Sequence, residues 1–121
     1  MKLRYDLLAL IIPLIVFGTL APKTGIAGDA KKGAAIYSQS CVACHGTNGK
    51  GSIPGTPDLT AKNGVLKSTD SVLIERITNG YQSKGSPMAM PPKGGNSSLT
   101  AQDISDVLAY IRQRFGGTDK R

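Results

Sequence analysis

Cys41-Val42-Ala43-Cys44-His45 places two cysteines three positions apart with a histidine directly after the second. That pattern reads as a site of covalent c-type haem attachment. Each thiol adds across one vinyl group, and two intervening residues suit two vinyls on one porphyrin edge. His45 can then bring its imidazole under the ring as the proximal ligand of the iron. Three other readings compete. A zinc site wants four ligands, and the 2 Cys and 1 His of this motif are all the chain has. A thioredoxin-like pair expects a βαβ setting, and no strand-forming run is present. A structural disulfide suits an exported protein but leaves His45 without a task. Haem is the reading that uses all three residues.

Upstream of the motif, the spacing predicts a helix over 30–40. Asp29 can cap it, and the run has good helix formers and no proline. Gly33, Ile36, Tyr37 and Ser40 fall on one face. A glycine inside a helix costs about 1 kcal/mol against alanine, so Gly33 implies the close approach of a second helix. Further upstream, residues 1–27 read as an export leader. Lys2 and Arg4 are followed by an apolar run from Leu7 to Ala21, and Gly25-Ile26-Ala27 offers small residues for cleavage after Ala27. The run is shorter than the roughly 20 residues that span a bilayer; an uncleaved leader would make it an anchor. The mature part, 28–121, is then one small domain outside the reducing cytoplasm, where haem attachment belongs.

Downstream of the motif, residues 46–57 carry four glycines and two prolines and read as a loop. It wraps the proximal side of the porphyrin. A metal-bound histidine donates its other ring nitrogen to an acceptor in the surrounding shell; the Pro57 carbonyl is the candidate, with Leu59 packing on the ring. A second helix is expected over 70–79, with Ser68 or Thr69 near its cap and Gly80 ending it. Val72, Leu73, Ile74 and Ile77 supply its buried stripe. The segment 82–98 is polar, rich in Gly and Pro, and holds Met88-Ala89-Met90-Pro91-Pro92-Lys93-Gly94-Gly95. With no second histidine, a sixth ligand has to be Met, Lys, Tyr or the N-terminal amine. A thioether is a soft ligand suited to haem iron. Two prolines after Met90 stiffen the loop that would present its sulfur, which favours Met90 over Met88. The last helix opens with Thr100 and Asp103 in a capping-box arrangement. Ile104, Val107, Leu108 and Ile111 form its apolar face, Arg112 and Arg114 favour its C-terminal dipole, and Gly116-Gly117 ends it. Lys120 and Arg121 form a basic tail.

Taken in this order, the mature chain resembles a small class I c-type cytochrome, a monohaem bacterial electron carrier. Gly33, Tyr37 and Cys41 stand at that family's spacing. Pro57 and Leu59 stand 12 and 14 positions after His45, where the family places a histidine-orienting proline and a haem-contacting leucine. Met90-Pro91 matches its axial methionine, and Met-Pro-Pro-Lys-Gly-Gly looks most like the cytochrome c5 branch, although the chain lacks that branch's frequent extra cysteine pair. Val107 and Tyr110 fall where the C-terminal helix crosses the first helix at its glycine; Leu108 is placed to share that contact. The resemblance implies an all-α class I cytochrome c fold with one haem c, largely buried, with an exposed edge near Cys41 and Cys44. It also implies His45/Met90 ligation and outer-sphere electron transfer rather than catalysis.

The charge balance bears on partners. Lys+Arg 15 against Asp+Glu 8 gives a net +7, and removal of the leader takes away only Lys2, Arg4, Lys23 and Asp6, so the mature chain stays basic. Redox partners with acidic docking surfaces are expected, with Lys50, Lys84 and Lys93 as candidate steering charges or as ordinary solubilising residues. Nucleic acid is set aside, since no aromatic-basic platform is present. Three function classes follow: a free electron carrier, a haem c subunit or docking module of a periplasmic oxidoreductase complex, and an enzyme or gas sensor with an open sixth position.

Overall fold

The computed structural model describes residues 27–117. The predicted leader up to residue 26 and the basic tail of Lys120 and Arg121 lie outside the described residues. Four α-helices follow in chain order: α1 (Ala30–Ser40), α2 (Val42–His45), α3 (Asp70–Asn79) and α4 (Ala101–Phe115). Two 3-10 turns, Val65–Lys67 and Pro92–Gly95, lie between them. Among the described residues there is no strand, only an isolated antiparallel bridge between Tyr81 and Met90.

The helix ends are where local chemistry puts them. The Asp29 carboxylate accepts from the Lys31 and Lys32 amides at 2.9 and 3.3 Å, which satisfies two donors the first turn leaves free. At α4 the Thr100 hydroxyl accepts from the Asp103 amide, and the Asp103 carboxylate accepts from the Thr100 amide at 2.8 Å. Gly80, with φ 78°, ends α3. Thr69 precedes α3 without a side-chain cap bond; its hydroxyl pairs with that of Ser71 instead.

The two ends of the domain meet where α1 crosses α4, and Gly33 is the reason they can. A β-carbon at Gly33 would sit 2.0 Å from the Asp106 carbonyl oxygen and 2.9 Å from the Tyr110 β-carbon. Gly28 lies equally close to the Ser105 carbonyl. Around this crossing Tyr37, Leu59, Val107, Ile111 and Phe115 form the buried core. The Tyr37 ring lies 5.3 Å from Tyr110 and 5.4 Å from Phe115. All four residues of the predicted α4 face are buried, together with Phe115 and Asp106. Tyr110 and the Asp106 backbone lie nearest Gly33, and Leu108 lines the cavity beside this core.

Asp106 is a carboxyl group in a buried place, 2% exposed. Its Oδ1 accepts from the Asp29 amide at 2.8 Å and from Gln102 Nε2 at 2.7 Å, the kind of hydrogen bonding that a buried carboxylate requires. It thereby ties the start of α1 to the middle of α4. Arg112 does more than face a helix dipole. Its guanidinium donates to the Leu66 and Ser68 carbonyls at 2.8 Å each and to Asp70 Oδ1 at 2.6 Å. That fork binds the segment before α3 to α4. Within α3 only Leu73 is fully buried; Ile77 packs against the core from its edge.

Candidate functional site

The site is built on one short helical turn. The Cys41 amide donates to the Tyr37 carbonyl at 2.9 Å, so the chain leaves α1 still coiled, and α2 follows at once. Residues three apart on a helical turn share a face, which places the Cys41 and Cys44 side chains on the same side. Both are unpaired thiols. Gly46, with φ 77°, ends the turn, and the loop then folds back. Gly51 and Ser52 donate to the His45 and Cys44 carbonyls at 2.9 and 2.8 Å, and the Leu59 amide donates to the Gly49 carbonyl at 2.7 Å. The Tyr37 hydroxyl donates to the Gly46 carbonyl at 2.7 Å from within the core. Burial pushes that phenol up from 10.0 to about 12, so it remains a donor throughout the neutral range. In this way α1 and the loop together hold α2 in place.

Cys41, Cys44, His45 and Met90 line a single cavity. The wall on the loop side includes Pro54, Pro57 and Leu59. The helices contribute Leu73 and Ile77 from α3, and Leu108 and Ile111 from α4. The lining is mostly apolar. Apart from His45, its one ionisable nitrogen base is Arg76, whose guanidinium stacks over the Tyr81 ring at 4.0 Å. Neither Arg76 nor Tyr81 stood out as a site residue in the sequence. Leu73, Arg76 and Ile77 share the i, i+3, i+4 face of α3, a signal that becomes readable once Leu73 is known to point inward.

Electrostatics suits these side chains to a haem. Burial lowers the pKa of His45 from 6.5, which favours the neutral imidazole, the form that ligates a metal. His45 Nδ1 is itself buried and has no hydrogen-bond partner among the described residues. The expected bond to the Pro57 carbonyl is therefore not made here, although Pro57 stands in the same cavity wall. Burial first, and the neighbouring Cys44 second, push the Cys41 thiol up to about 11. An apolar cavity with two thiols on one face, a neutral imidazole and a thioether is a donor set that fits haem c.

The distal side is held by backbone pairing. Tyr81 and Met90 exchange both amide–carbonyl bonds, at 3.1 and 2.8 Å. Gly80 makes room for this: a β-carbon there would lie 2.7 Å from the Met90 carbonyl. Met90 is half-buried, whereas Met88, in the same wall, is 55% exposed. The three lysines singled out for steering divide. Lys50 and Lys84 are exposed. Lys93 instead turns its ammonium onto the Leu99 carbonyl at 2.7 Å and the Ser97 carbonyl at 3.4 Å.

Comparison with known proteins agrees with this geometry. The family model for cytochrome c matches residues 30–114. Cytochrome c-555 of Prosthecochloris aestuarii is 33% identical over 85 residues, covering 69% of this chain and 85% of that protein. The cbb3-type cytochrome c oxidase subunit FixP of Bradyrhizobium sp. (strain ORS 278) is 51% identical over 90 residues, which is 74% of this chain. The chain spans only 29% of that subunit's length. Among solved structures, cytochrome cL from Hyphomicrobium denitrificans superposes with a TM-score of 0.53 at 31% identity, covering 72% of this chain and 48% of that one.

Proposed function

The chain belongs to the cytochrome c family, with the all-α class I fold, one covalently bound haem c and electron transfer as its function, and from that premise we propose how its own residues do the work. Residues 28–121 form an exported carrier, freed from the leader 1–27 by cleavage after Ala27. The observation that carries this reading is the convergence of Cys41, Cys44, His45 and Met90 on one cavity. Bound haem supplies the one-electron couple of its iron. Cys41 and Cys44 would hold the haem covalently through their sulfurs, and His45 and Met90 would be the side chains that bind its iron. With haem bound, the Nδ1–H of His45 would turn to donate to the Pro57 carbonyl, which stands in the same cavity wall. That bond relieves a buried polar atom which now lacks a partner and fixes the ring. Leu59 and the aliphatic residues of α3 and α4 exclude water. An iron held by both His45 and Met90 would offer no open position to a substrate, which favours transfer over catalysis.

A reductive titration of the exported, haem-loaded protein tests this. Reversible one-electron behaviour and a ferrous form that leaves carbon monoxide unbound are the expected results. Immediate carbon monoxide uptake by the reduced protein would mean an open distal position, and the carrier reading would give way to an enzyme or sensor.

The electron donor and acceptor are redox proteins, and the basic chain meets them through acidic surfaces. Lys50 and Lys84, both exposed, are the steering charges. Electron-transfer rates with an acidic partner protein should therefore fall as ionic strength rises through about 0.1 M, where the Debye length shrinks to about 10 Å. A rate that salt leaves unchanged removes the steering role.

The identity with FixP favours one alternative, that the chain serves as a haem c subunit of an oxidase complex in the periplasm. No helix among the described residues is long and apolar enough to cross a membrane. Stable co-purification with an oxidase separates this reading from a free shuttle.

A further inference from the structure

Lys93 is the one non-glycine residue with positive φ among the described residues, at φ 54° and ψ 27°. Gly94 and Gly95 follow at φ 62° and 82°. Three consecutive residues thus lie in the left-handed region, and glycine, free of the β-carbon clash, suits it best. Two of the three are glycine. The third is a lysine whose side chain reaches back over its own loop.

The contacts show what it holds. The ammonium donates to the Leu99 carbonyl at 2.7 Å and the Ser97 carbonyl at 3.4 Å, closing the loop onto the segment that enters α4. Leu99 is itself buried. The Lys93 carbonyl accepts from the Asn96 amide at 3.1 Å, and Asn96 Nδ2 donates to Ser40 Oγ at 3.4 Å. Gly94 lies so close to α1 that a β-carbon on it would sit 2.6 Å from the Ser40 carbonyl. The loop is therefore pressed against the residue before Cys41. On its other side lies Met90, with only Pro91 and Pro92 between. Met90 is anchored from upstream by its paired bonds with Tyr81; downstream, the Pro91 carbonyl accepts from the Gly94 amide at 3.1 Å, and the first side-chain anchor beyond the rigid proline pair is Lys93.

We infer that Lys93 is a positioning residue for Met90: its ammonium locks the left-handed turn after the prolines and so keeps the Met90 thioether turned into the cavity. The inference rests on the reading of Met90 as the distal ligand. It removes Lys93 from the steering set and gives its charge a task inside the fold, since hydrogen bonds from a charged donor are the stronger kind.

The test uses haem-loaded protein and four variants, Lys93→Ala, Lys93→Met, Lys93→Gly and Lys93→Arg. The readouts are the thermal loss of the weak near-infrared band of a sulfur–iron bond, the rate of carbon monoxide uptake by the ferrous form, and amide hydrogen exchange at Tyr81 and Met90. Lys93→Ala and Lys93→Met should lose the band well below the temperature of global unfolding, take up carbon monoxide roughly tenfold faster or more, and exchange both amides faster. Lys93→Gly separates backbone from side chain. It relaxes the left-handed turn but lacks the ammonium, so it should behave like the alanine variant, while Lys93→Arg restores part of the wild-type behaviour. Wild-type behaviour in Lys93→Gly and Lys93→Met overturns the inference. If the wild type itself shows no sulfur–iron band, the assignment of Met90 fails instead, and the two failures are told apart.

Discussion

Met90→Ala is expected to abolish the sulfur–iron band of the ferric protein and to make the ferrous protein bind carbon monoxide, while Met88→Ala leaves both as they are. The substitution is a sharp one because it removes little else. Met90 is attached to Tyr81 through main-chain atoms alone, by amide–carbonyl bonds at 3.1 and 2.8 Å, and alanine preserves both. Pro91 and Pro92 remain, and so does the turn beyond them. What goes is the thioether, the soft donor that favours ferrous iron and raises the potential. Axial ligation is one of the levers on a potential range of about 0.8 V, so the potential should fall substantially in Met90→Ala. Met88 is the fitting control: it shares the cavity wall but is 55% exposed. If Met88→Ala loses the band and Met90→Ala keeps it, the two assignments exchange.

The second large effect lies away from the cavity. Gly33→Ala should destabilise the haem-loaded protein by about 3 kcal/mol or more, a sizeable part of the roughly 5–15 kcal/mol that holds a domain together. Helix propensity alone argues the other way, since alanine gains about 1 kcal/mol over glycine inside a helix. Contact geometry decides the sign. The new methyl group would lie 2.0 Å from the Asp106 carbonyl oxygen and 2.5 Å from its carbon. Both are main-chain atoms of α4 and cannot rotate away. The helices must separate, which opens the Tyr37, Val107, Ile111 and Phe115 core and breaks the Asp106 bond to the Asp29 amide. Because α1 runs straight into Cys41, the strain reaches the haem attachment turn as well. Denaturant unfolding of the loaded protein measures it, and a Gly33→Ala variant as stable as wild type would refute the close crossing.

Much of this was legible in the sequence, and for a common reason. The Cys41/Cys44/His45 spacing, the Asp29 and Thr100 caps, and the apolar face of α4 depend on neighbours within one or two helical turns. Gly33 was legible by its cost: a helix tolerates glycine in mid-run only where something presses on it. Residues whose roles depend on distant partners were opaque. Asp106 looked like one more polar residue of α4, yet it is buried because the start of α1 supplies a donor 77 positions away. Arg112 reads as a dipole-facing cation until the carbonyls of Leu66 and Ser68 are seen within its reach. Lys93 reads as a surface charge because nothing local reveals a left-handed backbone outside glycine. The two 3-10 turns were missed because stretches of three or four residues carry no period to read.

The meeting of α1 with α4 also sets an order of events during biogenesis. Its defining contacts join residues near positions 29–37 to residues near 106–115, so they have a high contact order and form late. Until the last helix is present, α1 lacks the surface that Gly33 meets in the fold. Closure leaves Cys41 half-buried, with its thiol pushed up to about 11. The attachment turn leaves α1 directly, so the crossing that fixes α1 also fixes the two thiols that carry the haem.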